Sequence, residues 1–148
     1  MTQNLWLGVG CEGGTALPVL ETAIKQALKS LASKEADVAG VATLDRKARE
    51  PSLVLLCQSR CWPMRLFSAA ELAQVAVPKP SSIVAAGVGT PSVAEAAAIL
   101  AATLTDTTPN HISRTSLAQL RLGKQVFRLS GYPGAVTVAI AESVPEYM

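Results

Sequence analysis

The sequence predicts an α/β fold: three layers, α/β/α, around a mixed, mostly parallel sheet of about five strands, in one domain over residues 1–148. Three observations lead there. Short apolar runs alternate with helical stretches in the order β-α-β-α-β-α-β-β. Glycine-bearing turns stand between a strand-like run and a helix near Gly8 and again near Gly87. The last two strand-like stretches flank Gly131-Tyr132-Pro133-Gly134, a tight-turn sequence, which predicts a hairpin at the sheet edge.

Residues 5–9 form a short apolar run ending in glycine, the mark of a buried strand. From 16 to 33, Leu17, Leu20, Ile24, Leu28 and Leu31 recur at helical spacing, with Thr15 as the natural N-cap and Pro18 tolerable in the first turn. Residues 38–43 are the second strand, followed by a charged connection over 45–51. Pro51 opens a short helix to about Gln58, and Cys61-Trp62-Pro63 ends it. A third, short strand covers 65–67. Ser68 and Glu71 make a capping-box pattern for a brief helix.

A rigid proline-containing loop over 77–82 leads to a further strand, or simply an approach, at 83–86. The turn at 87–92 opens a strong helix over 93–103, with Pro91 and the Ser92/Glu95 pair giving two conflicting starts. Residues 105–110 are polar and turn-prone. Strands are expected over 125–129 and 135–141.

Composition narrows the function. A chain of 148 residues with 49% apolar residues buries a real core, and with 4% aromatics that core is small and aliphatic. A net charge of +2 gives no case for nucleic acid. No run approaches the roughly 18 apolar residues of a membrane span, and no signal-peptide pattern opens the chain. Three cysteines without a framework suit free thiols in a reducing cytoplasm.

In a mostly parallel sheet, ligands bind beyond the carboxyl ends of the strands. The turns at 8–15, 45–50 and 87–92 all follow strands, so they are expected to converge on one rim. Bare glycines and a helix N-terminus there offer main-chain N–H groups to an anion. The ligand-binding candidates are therefore Gly8, Gly10, Cys11, Gly13, Gly14, Thr15, Asp45, Lys47, Gly87, Val88, Gly89 and Ser92. A tight strand-to-helix turn explains the first glycines equally simply.

Gly8-x-Gly10-x-x-Gly13 matches a dinucleotide fingerprint, but Asp45 lies too far along to be the ribose-binding acid about 20 residues on. No cofactor is expected. Cys57 and Cys61 would share a helix face, yet His111 is the lone histidine and no second pair exists, so no metal is expected. The catalytic candidates are Cys11, whose thiolate a helix N-terminus would stabilise, with Asp45 and Glu95. Glu95 has a second reading as the cap of its own helix. From 107 to 141 there is no acidic residue, whereas Arg114, Arg121, Lys124 and Arg128 lie there. A basic flank favours a polycarboxylate or phosphate ligand; a solvated face explains it as well.

Several stretches occur together in a familiar order: Gly8-Val9-Gly10-Cys11 with Gly14-Thr15, then Ala42-Thr43-Leu44-Asp45-Arg46-Lys47, Pro80-Ser81-Ser82, Ser92-Val93-Ala94-Glu95-Ala96-Ala97-Ala98 and Val136-Thr137-Val138-Ala139-Ile140-Ala141. They resemble the cobalamin-biosynthesis family made of CobE and the C-terminal domain of CbiG. The likeness spans nearly the whole chain, and the length resembles that of the stand-alone members. It implies a role in building the corrin ring, with a precorrin-type tetrapyrrole as ligand and other cobalamin-pathway enzymes as partners. CbiG is linked to opening a lactone ring on a cobalt-precorrin with release of acetaldehyde. The family usually places basic residues after the cysteine of the first turn, where Glu12 and Gly13 stand here.

With no catalytic constellation recognisable, the leading expectation is a precorrin carrier or accessory factor. A precorrin hydrolase using Cys11, Asp45 or Glu95 is the alternative. A third reading is an interaction module that offers Trp62 or an exposed alanine-rich helix to another enzyme.

Overall fold

A computed structural model describes residues 4–47, 49–73, 93–103 and 118–143. The elements are β1 (Leu5–Cys11), α1 (Leu17–Ser30), β2 (Val38–Leu44), α2 (Pro51–Arg60), β3 (Met64–Phe67), α3 (Ala69–Ala73), α4 (Val93–Thr103), β4 (Ala118–Arg128) and β5 (Ala135–Ser143). The expected loop at 77–82, the strand at 83–86, the turn at 87–92 with its Pro91 and Ser92 caps, the turn at 105–110, His111 and Arg114 lie outside the described residues.

The strands form a five-stranded sheet in the order β3-β2-β1-β5-β4. β1 pairs parallel with β2, and β2 with β3; β5 runs antiparallel to both β1 and β4. The mixed α/β sheet matches expectation, with parallel pairing confined to the half built by the crossover helices. The last two strands are the expected hairpin. Gly131 and Gly134 adopt positive φ (87° and 95°) to turn it. β4 is longer than expected and starts at Ala118, because its pattern is broken: the β4–β5 register shifts between Leu120 and Leu122 and again between Leu122 and Gln125. Bulges of that kind erase the period-2 signal.

The alternation of β1 divides the interior. Leu5, Leu7 and Val9 face α1 and α2, where Val19, Leu20, Ile24, Leu53 and Leu56 complete an aliphatic core. Each such side chain contributes about 1.5–3 kcal/mol on burial. Trp6 faces the other way, into a layer of alanines from α4 with Phe67 and with Leu72 of α3. α4 touches β1, β2, β4 and β5, and an alanine-rich surface lets it lie close to them. Its apolar residues are buried on nearly every side, so the exposed helix expected as a docking surface is instead interior. Trp62, at 8% exposure, belongs to the aliphatic core and offers no contact surface either.

Gly8 sits where α4 crosses β1. A Cβ there would collide with the Ala94 carbonyl and crowd the Ala98 amide. The Arg65 guanidinium lies 4.6 Å from the Trp6 ring centroid and donates to the Ala101 carbonyl at 3.2 Å, placing a cation at the carboxyl end of α4.

The ends of the helices refine the expectations. α1 starts at Leu17 with Ala16 as N-cap, and no side chain caps it. Thr15 is not the cap: its hydroxyl donates to the Glu12 carbonyl at 2.6 Å, inside the turn. The Ser68/Glu71 capping box forms as expected. The Glu71 N–H donates to Ser68 Oγ at 3.1 Å, and the Ser68 N–H to Glu71 Oε1 at 2.8 Å. No helix among the described residues is long and apolar enough to cross a membrane.

Gly8→Ala is expected to destabilise the protein by about 3 kcal/mol, at the upper end of the cost of overpacking, because the obstacle is helix backbone. Chemical denaturation against wild type measures it. Gly10→Ala, with nothing among the described residues within 4 Å of the added Cβ, is the control expected to cost under half as much.

Candidate functional site

The carboxyl ends of β1 and β2 are joined by direct contacts between the turns that follow them. The Gly14 N–H, on a residue at φ 81°, donates to Glu50 Oε2 at 3.1 Å. The Ser52 hydroxyl, buried in the first turn of α2, donates to the Thr15 carbonyl at 2.7 Å. The hairpin turn closes the same edge. The Ala16 N–H donates to the Pro133 carbonyl and the Glu12 N–H to the Ala135 carbonyl, both at 3.2 Å. Gly134 lies so close to Thr15 that no side chain fits there. The hairpin turn was expected, but the part that it and Ser52 play in the rim was missed from the sequence, because it is set by contacts far apart along the chain.

These bonds correct the expectation of a bare donor loop. The N–H groups of Glu12, Gly14, Thr15 and Ala16 all have acceptors within the protein. Among the described residues, Gly13 and Leu17 keep N–H groups without one, and Pro18 has none to offer. The loop is a packed joint, and the charge that meets its exposed glycine is the protein's own Glu50.

The candidates divide between the two faces of the sheet. Cys11 continues the Leu5, Leu7, Val9 series and packs on the α1/α2 side. Gly8, named as a ligand candidate, is buried beneath α4, where its missing side chain makes room for a helix. Gly10 follows Gly8 on that same face, but nothing among the described residues lies within 4 Å of where its Cβ would be. Gly10 pairs with Thr137, and Thr137 with Val126, which is 61% exposed. The three form a cross-strand shelf, uncovered at Gly10 among the described residues; Val93, the first described residue of α4, is also exposed.

At the same carboxyl edge, the charges of the second turn follow β2. Asp45 opens a 3-10 turn through Lys47; Asp45, Arg46 and Arg49 are exposed and Lys47 is half-buried. Exposed Arg128 ends β4 opposite Ala135, at the same edge. Of the rest of the basic flank, Arg121 is paired with Glu142 at 3.4 Å, the acid just beyond the acid-free stretch. Gly87, Val88, Gly89 and Ser92 lie outside the described residues; the helix after them begins over Gly8.

The catalytic candidates do not gather. Burial pushes the Cys11 thiol up from its ordinary range, and Glu50 adds to this, while Lys47 pulls it down. Desolvation thus outweighs the Lys47 charge, contrary to the expected stabilised thiolate; Cys11 ends β1, and α1 starts only at Leu17. Glu95, at 9% exposure, neither sits free on the rim nor reaches Cys11: its Oε2 accepts the Lys124 N–H of β4 at 2.9 Å, beside Gly123. It holds the irregular stretch of the edge strand against α4. Cys57 and Cys61 also part company. Cys57 is buried, with its thiol pushed up to about 11 by desolvation, while Cys61 is the exposed left-handed residue that ends α2. Among the described residues no cluster of histidine, cysteine and carboxylate side chains is arranged to hold a metal.

An open α/β domain with a mixed five-stranded sheet and a rim of interlocked turns has close counterparts. The family described as cobalamin synthesis G C-terminus matches residues 5–141. The chain belongs to that family, and it is a cobalamin-biosynthesis protein of the CobE/CbiG C-terminal type. It is similar to protein CobE of Sinorhizobium sp, 35% identical over 101 residues, which covers 67% of this chain and 66% of that protein. It is also 30% identical over 96 residues to the cobalt-precorrin-5A hydrolase of Priestia megaterium, covering 65% of this chain but only 26% of the hydrolase. Among solved structures, CobE of the cobalamin biosynthetic pathway superimposes with a TM-score of 0.68 at 24% identity, over 99% of this chain and 95% of that one. Protein chiG of Agrobacterium tumefaciens str. C58 gives 0.61 at 25% identity, over 94% and 98%.

Three outcomes test the site. Glu95→Ala should destabilise the protein by about 1 kcal/mol and speed hydrogen exchange at the Lys124 amide, since a part-buried donor loses its charged acceptor. The thiols should separate in alkylation followed by mass spectrometry: Cys61 reacts first, Cys11 slowly and Cys57 only on unfolding. Because the Cys57 thiol rises from 9.0 to about 11 on folding, its contribution to stability is complete below pH 9 and is lost as pH climbs through 11. The fall in melting temperature over that interval should be smaller in Cys57→Ala.

Proposed function

We propose that this protein binds a precorrin-type tetrapyrrole on the rim, as a carrier or accessory factor for other cobalamin-pathway enzymes in the cytoplasm. The observation that carries the reading is that the row Gly10, Thr137 and Val126, uncovered at Gly10 among the described residues, ends at the same carboxyl edge of the sheet as the cationic turn Arg46-Lys47 and Arg49. A macrocycle is a broad apolar plate fringed with acetate and propionate carboxylates. A shelf with a bare glycine and small side chains suits the plate, and guanidinium and ammonium groups at the same edge suit the fringe. Family membership supports the choice of a tetrapyrrole over other polycarboxylates.

Hydrolysis of a precorrin substituent is the second reading, favoured by the match to part of cobalt-precorrin-5A hydrolase. It would need a nucleophile or activated water at the rim, and exposed Asp45 is the candidate in position to supply a general base. The separation of Cys11 from Glu95 by the sheet, and the raised thiol, weigh toward the carrier.

Titrating the protein with a late precorrin should perturb the tetrapyrrole absorption spectrum with saturation in the micromolar range. Lys47→Ala and Arg46→Ala should each weaken binding about three- to tenfold, more at low salt than at high, as exposed ionic contacts do. No spectral change up to millimolar protein would overturn the proposal.

A further inference from the structure

Glu50 is the N-cap residue of α2, yet its carboxylate does not cap that helix. It turns instead to the Gly14 N–H, 36 residues earlier in the chain. The contact is exposed, unlike the buried Ser52–Thr15 bond beside it. It also differs in kind from the other bonds of the turn. Glu12, Thr15 and Ala16 give their N–H groups to main-chain carbonyls, which leave only if the backbone moves. Gly14 alone gives its N–H to a side chain, which rotates away while the backbone stays. Lys47 stands close enough that it and Glu50 act on the Cys11 thiol in opposite directions. A glycine amide with a cation nearby is a carboxylate position, and a carboxylate occupies it.

Resting on the reading of the rim as a tetrapyrrole-binding surface, we propose that Glu50 is an internal competitor for one ligand carboxylate: it holds the Gly14 amide in the free protein and is displaced on binding. The exchange conserves the hydrogen bond, one carboxylate replacing another. Its cost is the work of moving Glu50 aside against an incoming like charge, so the residue lowers affinity and eases release. That suits a protein that passes its ligand on. The turn keeps its shape without Glu50, because the Ser52–Thr15 and Pro133–Ala16 bonds remain.

The test compares wild type, Glu50→Ala and Glu50→Gln in fluorescence titrations with uroporphyrin, an octacarboxylic tetrapyrrole, alongside the Gly14 amide resonance of 15N-labelled protein. Glu50→Ala should bind about three- to tenfold more tightly, the worth of one exposed charged contact. Glu50→Gln, which keeps an acceptor oxygen but loses the charge, should fall between. The Gly14 resonance should move on ligand addition in wild type, and in Glu50→Ala before any ligand is present. Equal or weaker binding by both variants overturns the competitor while leaving the tetrapyrrole reading intact. No binding by any of the three proteins overturns that reading, and the competitor with it. If Glu50→Ala does not fold, the Glu50→Gln comparison decides by the same criterion.

Discussion

The contact between α4 and β1 across Gly8 is the constraint on which the architecture turns. A helix and a sheet pack at a distance set by the side chains between them. Here one side of that gap is a bare Cα and the other a run of alanines. The close approach fixes α4 over the middle of the sheet, in reach of four strands. The first turn of α4 lies over Gly8, whereas Gly10, the next outward position of the same face, is uncovered among the described residues.

The two faces of the sheet do different work. The α1/α2 face holds the larger aliphatic side chains and carries most of the burial. The α4 face holds mostly small residues around Trp6 and Phe67, and Trp6 fits only because Gly40 leaves space beside it. The polar bonds concentrate at the carboxyl edge, where three chain reversals meet. Gly14–Glu50, Thr15–Ser52 and Ala16–Pro133 tie the first turn to its neighbours. A site built on such a joint keeps its geometry before a ligand arrives, which lowers the ordering cost of binding.

The fold was largely legible in the residues. The apolar spacing of Leu20, Ile24 and Leu28 gives α1. The Ser68/Glu71 box gives α3, and Gly131 and Gly134 give the hairpin. Each of these signals is local, since a helix face, a cap or a positive-φ turn involves residues within a few positions of one another. β4 was half legible, because its bulges interrupt the alternation that marks a strand. The rim was less legible. The turns after β1 and β2 do meet, but their main-chain donors, which looked free, are spent on carbonyls and a carboxylate distant in sequence.

The sequence by itself determined the layered α/β class, most of the elements and the likeness to one family, since periodicity, turn chemistry and ordered motifs are written in neighbouring residues. Only the tertiary structure decided that Gly8 serves a helix while Gly10 stays open, that Cys11 and Glu95 lie on opposite faces, and that Glu50 reaches Gly14. Those facts depend on which strand faces which helix and on what occupies the space above a Cα. Both are settled by packing between segments dozens of residues apart, where no local pattern has access.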